Sequence, residues 1–189
     1  MRTHLSLKSA GLGWCVLYSL SLAGCASLSG QSGQAEVNPV QYTFDSSTVC
    51  PGLERLLASA ENQFSDISGK SASGSQNISV WKTSLKAENA DCRVVEWGNG
   101  QPNYLCTVAL PGEQSAQNWH QSLQATLTAC LGADWLAQDA EDREGIVTSL
   151  TRKEVSPSVI TVRHYRNEKM LSSRNWTGVF SIGRTPSTP

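Results

Sequence analysis

Apolar residues return at helical spacing in two segments of the chain. From residue 53 to residue 67 they recur every three or four positions, at Leu53, Leu56, Leu57, Ala60, Phe64 and Ile67. This period predicts an amphipathic helix, and Pro51 just before it suits a first helical turn. A second amphipathic helix is predicted from about 115 to 131, with Trp119 on its apolar side and Gly132 as its stop.

Six other segments have the alternation and the β-branched or aromatic content that are typical of strands. They are residues 80–86, 92–97, 104–110, 146–151, 159–165 and 176–182. Each predicted helix is therefore followed by three strands. The Gly- and Ser-rich residues 68–76 are expected to form a loop, and the acidic residues 134–144 a solvated polar segment.

The order of these elements predicts an α+β domain, in which an antiparallel sheet carries two helices on one face. The two helix-and-three-strand segments also resemble each other, since residues 81–85 and 146–150 both end in Thr-Ser-Leu. The pattern indicates two α-β-β-β halves. An ancient duplication, convergence on one pattern and accidental similarity all stay open as its origin.

The first residues of the chain have the pattern of an export signal. Arg2 and Lys8 precede an apolar run from 12 to 22, which is short for a bilayer span and ends in small residues. The alternative is a membrane-anchoring helix that ends near a chance cysteine. A cleaved signal peptide over residues 1–24 is the interpretation that the small residues favour.

The motif Leu22-Ala23-Gly24-Cys25 resembles the lipobox of bacterial lipoproteins. The resemblance implies that the Cys25 thiol is lipidated and that its amine becomes the mature, acylated N-terminus. Several buried acyl chains make such an anchor effectively permanent. Because no aspartate follows the cysteine, the resemblance also implies the outer rather than the inner membrane.

The mature chain is expected to have three parts. Residues 25–42, rich in Ser, Gly and Gln, would be the lipidated N-terminus and a flexible tether. Residues 43–183 are a normal size for one domain, and residues 184–189 would be a disordered tail.

Four cysteines remain after the signal and the lipidated residue are set aside, which suits an oxidising compartment. The three-residue turn at 98–100 would fold a hairpin about Asn99 and place Cys92 opposite Cys106. By elimination, Cys50 would pair with Cys130. Buried free thiols or a zinc site are the alternatives, but the chain has no Cys-x-x-Cys pair and no histidines near these cysteines.

Motifs for catalysis, metals or cofactors are missing from the mature chain. Its two histidines, His120 and His164, lack a second ligand at metal spacing and are expected at the surface or at a sheet edge. The nucleophile-elbow, phosphate-loop and zinc-protease motifs are absent. The acids of residues 134–144 are interpreted as a solvated face, with catalysis or calcium binding as the alternative. We therefore predict no catalytic residue, no metal and no cofactor.

Charge is unevenly distributed although the whole chain has a net charge of −1. Residues 134–144 hold five acids and one Arg, a balance of −4, whereas residues 152–174 hold six bases and two acids, a balance of +4. Opposite charge on separate segments favours a protein partner, and a chain that is not basic argues against nucleic acid. The predicted partner-binding residues combine these charges with two tryptophans near turns: Trp97, Asn99, Trp135, Arg163, Arg166 and Lys169.

These observations predict a non-enzymatic lipoprotein that is tethered to the outer membrane, faces the periplasm and binds an envelope protein. Envelope assembly, secretion and neutralisation of an effector are the roles considered. The alternative is a module that binds peptidoglycan or another glycan, and a hydrolase with an unrecognised site is a third. In a binder, replacing His120 or His164 by Ala should leave the phenotype intact.

The lipobox can be tested by one substitution. Cys25→Ala removes the thiol that accepts the lipid, so the precursor should accumulate with its signal uncut. Mass spectrometry of the intact protein measures both the lipid and the N-terminus. Wild-type protein that lacks covalent lipid and begins at a residue other than Cys25 would contradict the assignment.

Overall fold

A computed structural model describes residues 39–75, 77–87, 89–98, 100–141, 145–154, 158–167 and 175–184. The predicted signal, Cys25, nearly all of the tether and residues 185–189 lie outside the described residues. Within them, each of two helices is followed by four strands. In chain order the elements are α1 (Ser46–Glu61), β1 (Ser68–Ser75), β2 (Ile78–Thr83), β3 (Asp91–Trp97), β4 (Gln101–Leu110), α2 (Glu113–Leu131), β5 (Trp135–Glu141), β6 (Gly145–Arg152), β7 (Ser158–Arg166) and β8 (Trp176–Arg184).

The eight strands form one antiparallel sheet in the order β1-β2-β3-β4-β8-β7-β6-β5. Strands β4 and β8 lie at its centre and join the strands that follow α1 to those that follow α2. Both helices pack on the same face, where alternate residues of the central strands are buried, among them Tyr104, Leu110, Ile160, Val162 and Ile182. The predicted α+β class, with an antiparallel sheet and two helices, is therefore present. An origin by duplication stays a prediction.

Two strands were absent from the sequence prediction. Residues 68–76 were expected to be a loop and residues 134–144 a polar segment, yet β1 and β5 form the two edges of the sheet. Nearly every residue of these strands is exposed, so neither strand has a buried face that would produce alternation. Backbone pairing with β2 and β6 holds them in place.

Helix α1 begins at Ser46, about two turns before Leu53, where its apolar period starts. The Asp45 carboxylate accepts hydrogen bonds from the backbone N–H and the hydroxyl of Ser47, which caps the helix and lowers the pKa of Asp45. At its other end Gln63 and Phe64 adopt positive φ angles of 54° and 58°. The left-handed conformation turns the chain so that Phe64 inserts into the core above Tyr104.

The residues just before α1 lie along α2. The Val40 N–H donates to Ser115 Oγ at 3.0 Å, and Ser122 Oγ donates to the Tyr42 carbonyl at 2.7 Å. These two residues, which the sequence assigned to the tether, therefore pack on the domain. At the C-terminal boundary of the domain, Arg184 was predicted to begin the disordered tail, but it is the last residue of β8. Neither of the described helices is long and apolar enough to cross a membrane.

Both predicted disulfides are present. Cys92 and Cys106 face each other across β3 and β4, as a hairpin folded at residues 98–100 requires. Cys50 in the first turns of α1 is bonded to Cys130 at the end of α2. The second bond ties the two helices together in an antiparallel arrangement.

The two disulfides should differ in their contribution to stability. They enclose sequence separations of 14 and 80 residues, so loop-closure entropy gives about 3 kcal/mol for Cys92–Cys106 and about 4.5 kcal/mol for Cys50–Cys130. Replacing the second pair by Ser should lower the free energy of unfolding more, as measured by urea denaturation. An equal or smaller loss, or a mapped peptide linking Cys106 to Cys130, would contradict this account.

Candidate functional site

Two histidines meet in the core. His120 is 3% exposed and His164 is 4% exposed, so the prediction that they lie at the surface or at an edge is wrong. His120 falls on the buried side of α2 next to Trp119, and His164 continues the inward alternation of Ile160 and Val162 on β7. Their local patterns are those of core residues.

The histidines belong to a chain of four polar side chains that crosses the helix–sheet interface. His164 Nδ1 lies 2.8 Å from His120 Nδ1, and His120 Nε2 lies 2.6 Å from Thr148 Oγ1. Thr148 in turn donates its hydroxyl hydrogen to Asp139 Oδ1 at 2.5 Å. We call these four residues the polar relay. It connects α2 with β7, β6 and β5.

The hydrogen bonds fix the tautomers of both rings. Because the only hydroxyl hydrogen of Thr148 goes to Asp139, Thr148 Oγ1 must accept from Nε2–H of His120. His120 Nδ1 is then unprotonated and accepts from Nδ1–H of His164. This arrangement satisfies the hydrogen bond between the two rings only while His120 is neutral, because a protonated His120 has no acceptor nitrogen.

Burial also favours neutral rings. Desolvation, followed by the proximity of His164, lowers the pKa of His120 to about 4, although Asp139 opposes the shift. Burial likewise lowers the pKa of His164, against the opposing charge of Glu113. Both rings of the polar relay are therefore neutral at neutral pH, and Asp139 lies exposed at the β5 edge.

The polar relay fits a structural role better than a catalytic one. Thr148 is fully buried, and both histidine side chains are almost completely shielded from solvent. No group of three or more His, Cys, Asp or Glu side chains in the described part of the chain is arranged to hold a metal ion. Removing either histidine would leave buried polar groups without partners, so the expectation that His→Ala is silent gives way to an expected loss of stability.

The predicted partner-binding residues do not converge on one spot. Trp97 and Arg163 lie on the face of the sheet opposite the helices, which we call the helix-free face. Trp135 begins β5 on the helix side, half-buried against the core, and Arg166 ends β7 in an exposed position. The remaining two, Asn99 and Lys169, lie outside the described residues.

Among the described residues, Trp97 is the most exposed large apolar side chain of the helix-free face. It is 48% exposed and lies directly opposite Ile78 across β2 and β3. In the next row Val80 faces Val95, which is only 6% exposed although it lies outside the helix-side core. We call these four residues the apolar patch.

The helix-free face also has a surplus of positive charge. Its charged residues on strands β2 to β8, within the described ranges, are Lys82, Arg93 and Arg163 against Asp91. Asp91 pairs with Arg93 at 2.6 Å, and the Arg163 guanidinium lies 5.3 Å from the centre of the Tyr165 ring. The acids of β5 that the sequence set against these bases, Asp139 and Glu141, have the opposite strand parity and belong to the helix side.

A groove lies on the helix side of the sheet, beside the end of α1. It has a volume of about 560 Å³ and is bounded by the turn after α1 and by strands β1 to β4. Its lining residues are Asn62, Gln63, Ser65, Ser68, Gly69, Trp81, Val94, Glu96 and Pro102. Trp81 is partly buried against the core and borders this groove.

Comparison of the chain with protein-family models, curated proteins and solved structures gives no match.

The site residues that sequence reasoning missed are brought together by tertiary structure. His120 is 28 residues from Thr148 and 44 from His164, so no local motif joins them. One signal was available for His120: its position beside Trp119 on the apolar side of a helix indicates burial, and burial of a histidine requires a polar partner.

The polar relay predicts a specific pH dependence of stability. An unfolded chain protonates His120 below pH 6.5, whereas the folded protein resists protonation down to about pH 4. The contribution of neutral His120 to the free energy of unfolding is therefore complete above pH 6.5. It is lost as the pH falls towards 4, by at most about 1.4 kcal/mol per pH unit. Urea denaturation between pH 7 and pH 4 measures it.

His120→Gln is the matched control, because Gln keeps a donor and an acceptor but does not titrate. Subtracting its profile from that of the wild type removes the titration of carboxylates. If the difference in the free energy of unfolding between wild type and His120→Gln does not change from pH 7 to pH 4, the assignment of His120 as buried and neutral is contradicted.

Proposed function

We propose that this protein is a lipoprotein anchored in the outer membrane through Cys25, and that its domain faces the periplasm and binds another envelope protein without catalysis. The observation that carries the proposal is the exposure of Trp97 within the apolar patch. A half-exposed Trp set among apolar neighbours is typical of the anchors of protein interfaces.

The dimensions of the helix-free face support a protein as the ligand. Trp97 and Arg163 are separated by three strand spacings, about 14 Å, and by six residues along the strands, about 20 Å. One small molecule does not span this distance. An interface of standard size, about 800 Å² per partner, covers both positions.

The positive charge of the helix-free face supports a partner with an acidic surface. The helix-free face has two more bases than acids among its described strand residues, so an acidic partner surface would be attracted to it. The sheet itself keeps the acids of β5 on its other side. A partner that approaches this face therefore meets the bases without competition from Asp139.

The proposal predicts separate effects for the two kinds of residue. A photoreactive amino acid at Thr107, near Arg163 on the helix-free face, should give one crosslinked partner in native envelopes. Trp97→Ala should reduce the adduct at least about 10-fold through faster dissociation. Arg163→Glu should slow association, and its effect should vanish in about 1 M salt, where the Debye length is about 3 Å.

Arg55→Glu is the matched charge reversal, because Arg55 is exposed on α1, on the other side of the sheet. It should leave the adduct unchanged. The proposal fails if Arg55→Glu removes the adduct while Trp97→Ala and Arg163→Glu leave it intact in folded protein.

A further inference from the structure

The groove beside α1 exists because the helix layer does not cover the whole sheet. Helix α2 packs over β7 and β8, and α1 packs over β8 and β4. Strands β2 and β3 extend beyond this cover, and the turn after α1 approaches them. Trp81 and Glu96 lie on the helix side of these uncovered strands.

The lining of the groove combines an aromatic and apolar surface with polar groups that donate and accept hydrogen bonds. Trp81, Val94 and Pro102 supply the apolar part, and the amides of Asn62 and Gln63 supply donors and acceptors. The hydroxyls of Ser65 and Ser68 extend the polar part. A sugar presents the same combination, with apolar C–H faces and a rim of hydroxyls.

The charge of the lining restricts the class of ligand that the groove can bind. Among the described residues of the lining, Glu96 is the only ionisable one, and no base accompanies it. Its carboxylate accepts hydrogen bonds from hydroxyl or amide donors but repels phosphates and other anions. The groove is therefore suited to a neutral ligand rich in donors.

The wall formed by the turn is held in place before any ligand arrives. Ser59, itself buried, donates its hydroxyl to Asp66, and Ser68 Oγ donates to the Phe64 carbonyl. Backbone bonds from Phe64 N–H to the Ser59 carbonyl and from Ser68 N–H to the Phe64 carbonyl close the turn. A rigid wall lowers the entropic cost of binding.

From these observations we propose that the groove binds an oligosaccharide that carries N-acetyl groups. Trp81 stacks on a sugar face, Glu96 accepts from hydroxyl or amide N–H groups, and Asn62 and Gln63 bond the acetamido groups. The volume of about 560 Å³ lies within the usual range of 300–1,000 Å³ for ligand sites. The site lies on the helix side of the sheet, so it is separate from the helix-free face and independent of the protein-binding proposal.

The test measures binding of a β-1,4-linked tetramer of N-acetylglucosamine to the folded wild-type domain by calorimetry. Saturable one-site binding is expected. Glu96→Gln, which keeps the shape of the side chain, should weaken it about 10-fold, because it exchanges a charged acceptor for a neutral one. Trp81→Leu should weaken it by at least as much, with near-ultraviolet circular dichroism to check folding.

Two matched controls accompany these variants. Glu54→Gln changes an exposed carboxylate on α1 outside the groove, and Trp97→Ala changes a tryptophan on the opposite face of the sheet. Both should bind the tetramer like the wild type. Loss of the Thr107 adduct in Trp97→Ala with retention of sugar binding would separate the two proposals.

Several results would overturn the inference. They are no saturable binding up to the solubility of the tetramer, unchanged affinity in Glu96→Gln, and equal affinity for cellotetraose, which lacks the acetamido groups. Loss of the envelope-protein adduct in Glu96→Gln with unchanged sugar affinity would show the groove to be a protein contact. Sedimentation with purified sacculi then distinguishes peptidoglycan from a soluble glycan as the source of the saccharide.

Discussion

The pairing of β4 with β8 is the constraint on which the rest of the structure depends. Seven consecutive residue pairs, from Tyr104 with Ile182 to Leu110 with Trp176, join the strands that follow α1 to those that follow α2. Without this ladder each helix would have only its own four-stranded sheet, which is narrower than the eight-stranded sheet that buries the apolar sides of both helices. Gly178 lies within the ladder because a Cβ there would come within 2.8 Å of the Trp119 ring and the Val108 side chain.

The helix pair lies over this joint, and its position creates the different surfaces of the protein. One face of the sheet is divided between core, polar relay and groove, while no described element covers the other face. The Cys50–Cys130 bond fixes the helices relative to each other, and the polar relay fixes α2 relative to β5, β6 and β7. A partner on the helix-free face and a saccharide in the groove would therefore bind to opposite sides of one sheet.

The sequence predicts those parts of the fold that leave a side-chain period. Both helices and six strands follow from apolar spacing, and the Gly98–Gly100 turn sets the register that pairs Cys92 with Cys106. The edge strands β1 and β5 leave no such period, because nearly all of their side chains are exposed. Trp97 could be predicted as exposed from its position beside a turn.

The polar relay and the groove could not be predicted locally. The relay depends on the packing of α2 over β7, which brings together residues far apart in the sequence. The groove depends on where α1 stops covering the sheet. Alternation indicates that Trp81 faces the helix side, but it does not indicate that the helix layer ends beside it.

The central claim is that the helix-free face is covered by a partner in the cell envelope. Hydroxyl-radical footprinting of Trp97, read by mass spectrometry in intact envelopes and in the purified domain, tests it without knowledge of the partner. The buried Trp119 and the exposed Val40 beside α2 are internal references. The account predicts that Trp97 is oxidised in the purified domain and protected in envelopes, while both references are unchanged; equal oxidation of Trp97 in the two samples would contradict it.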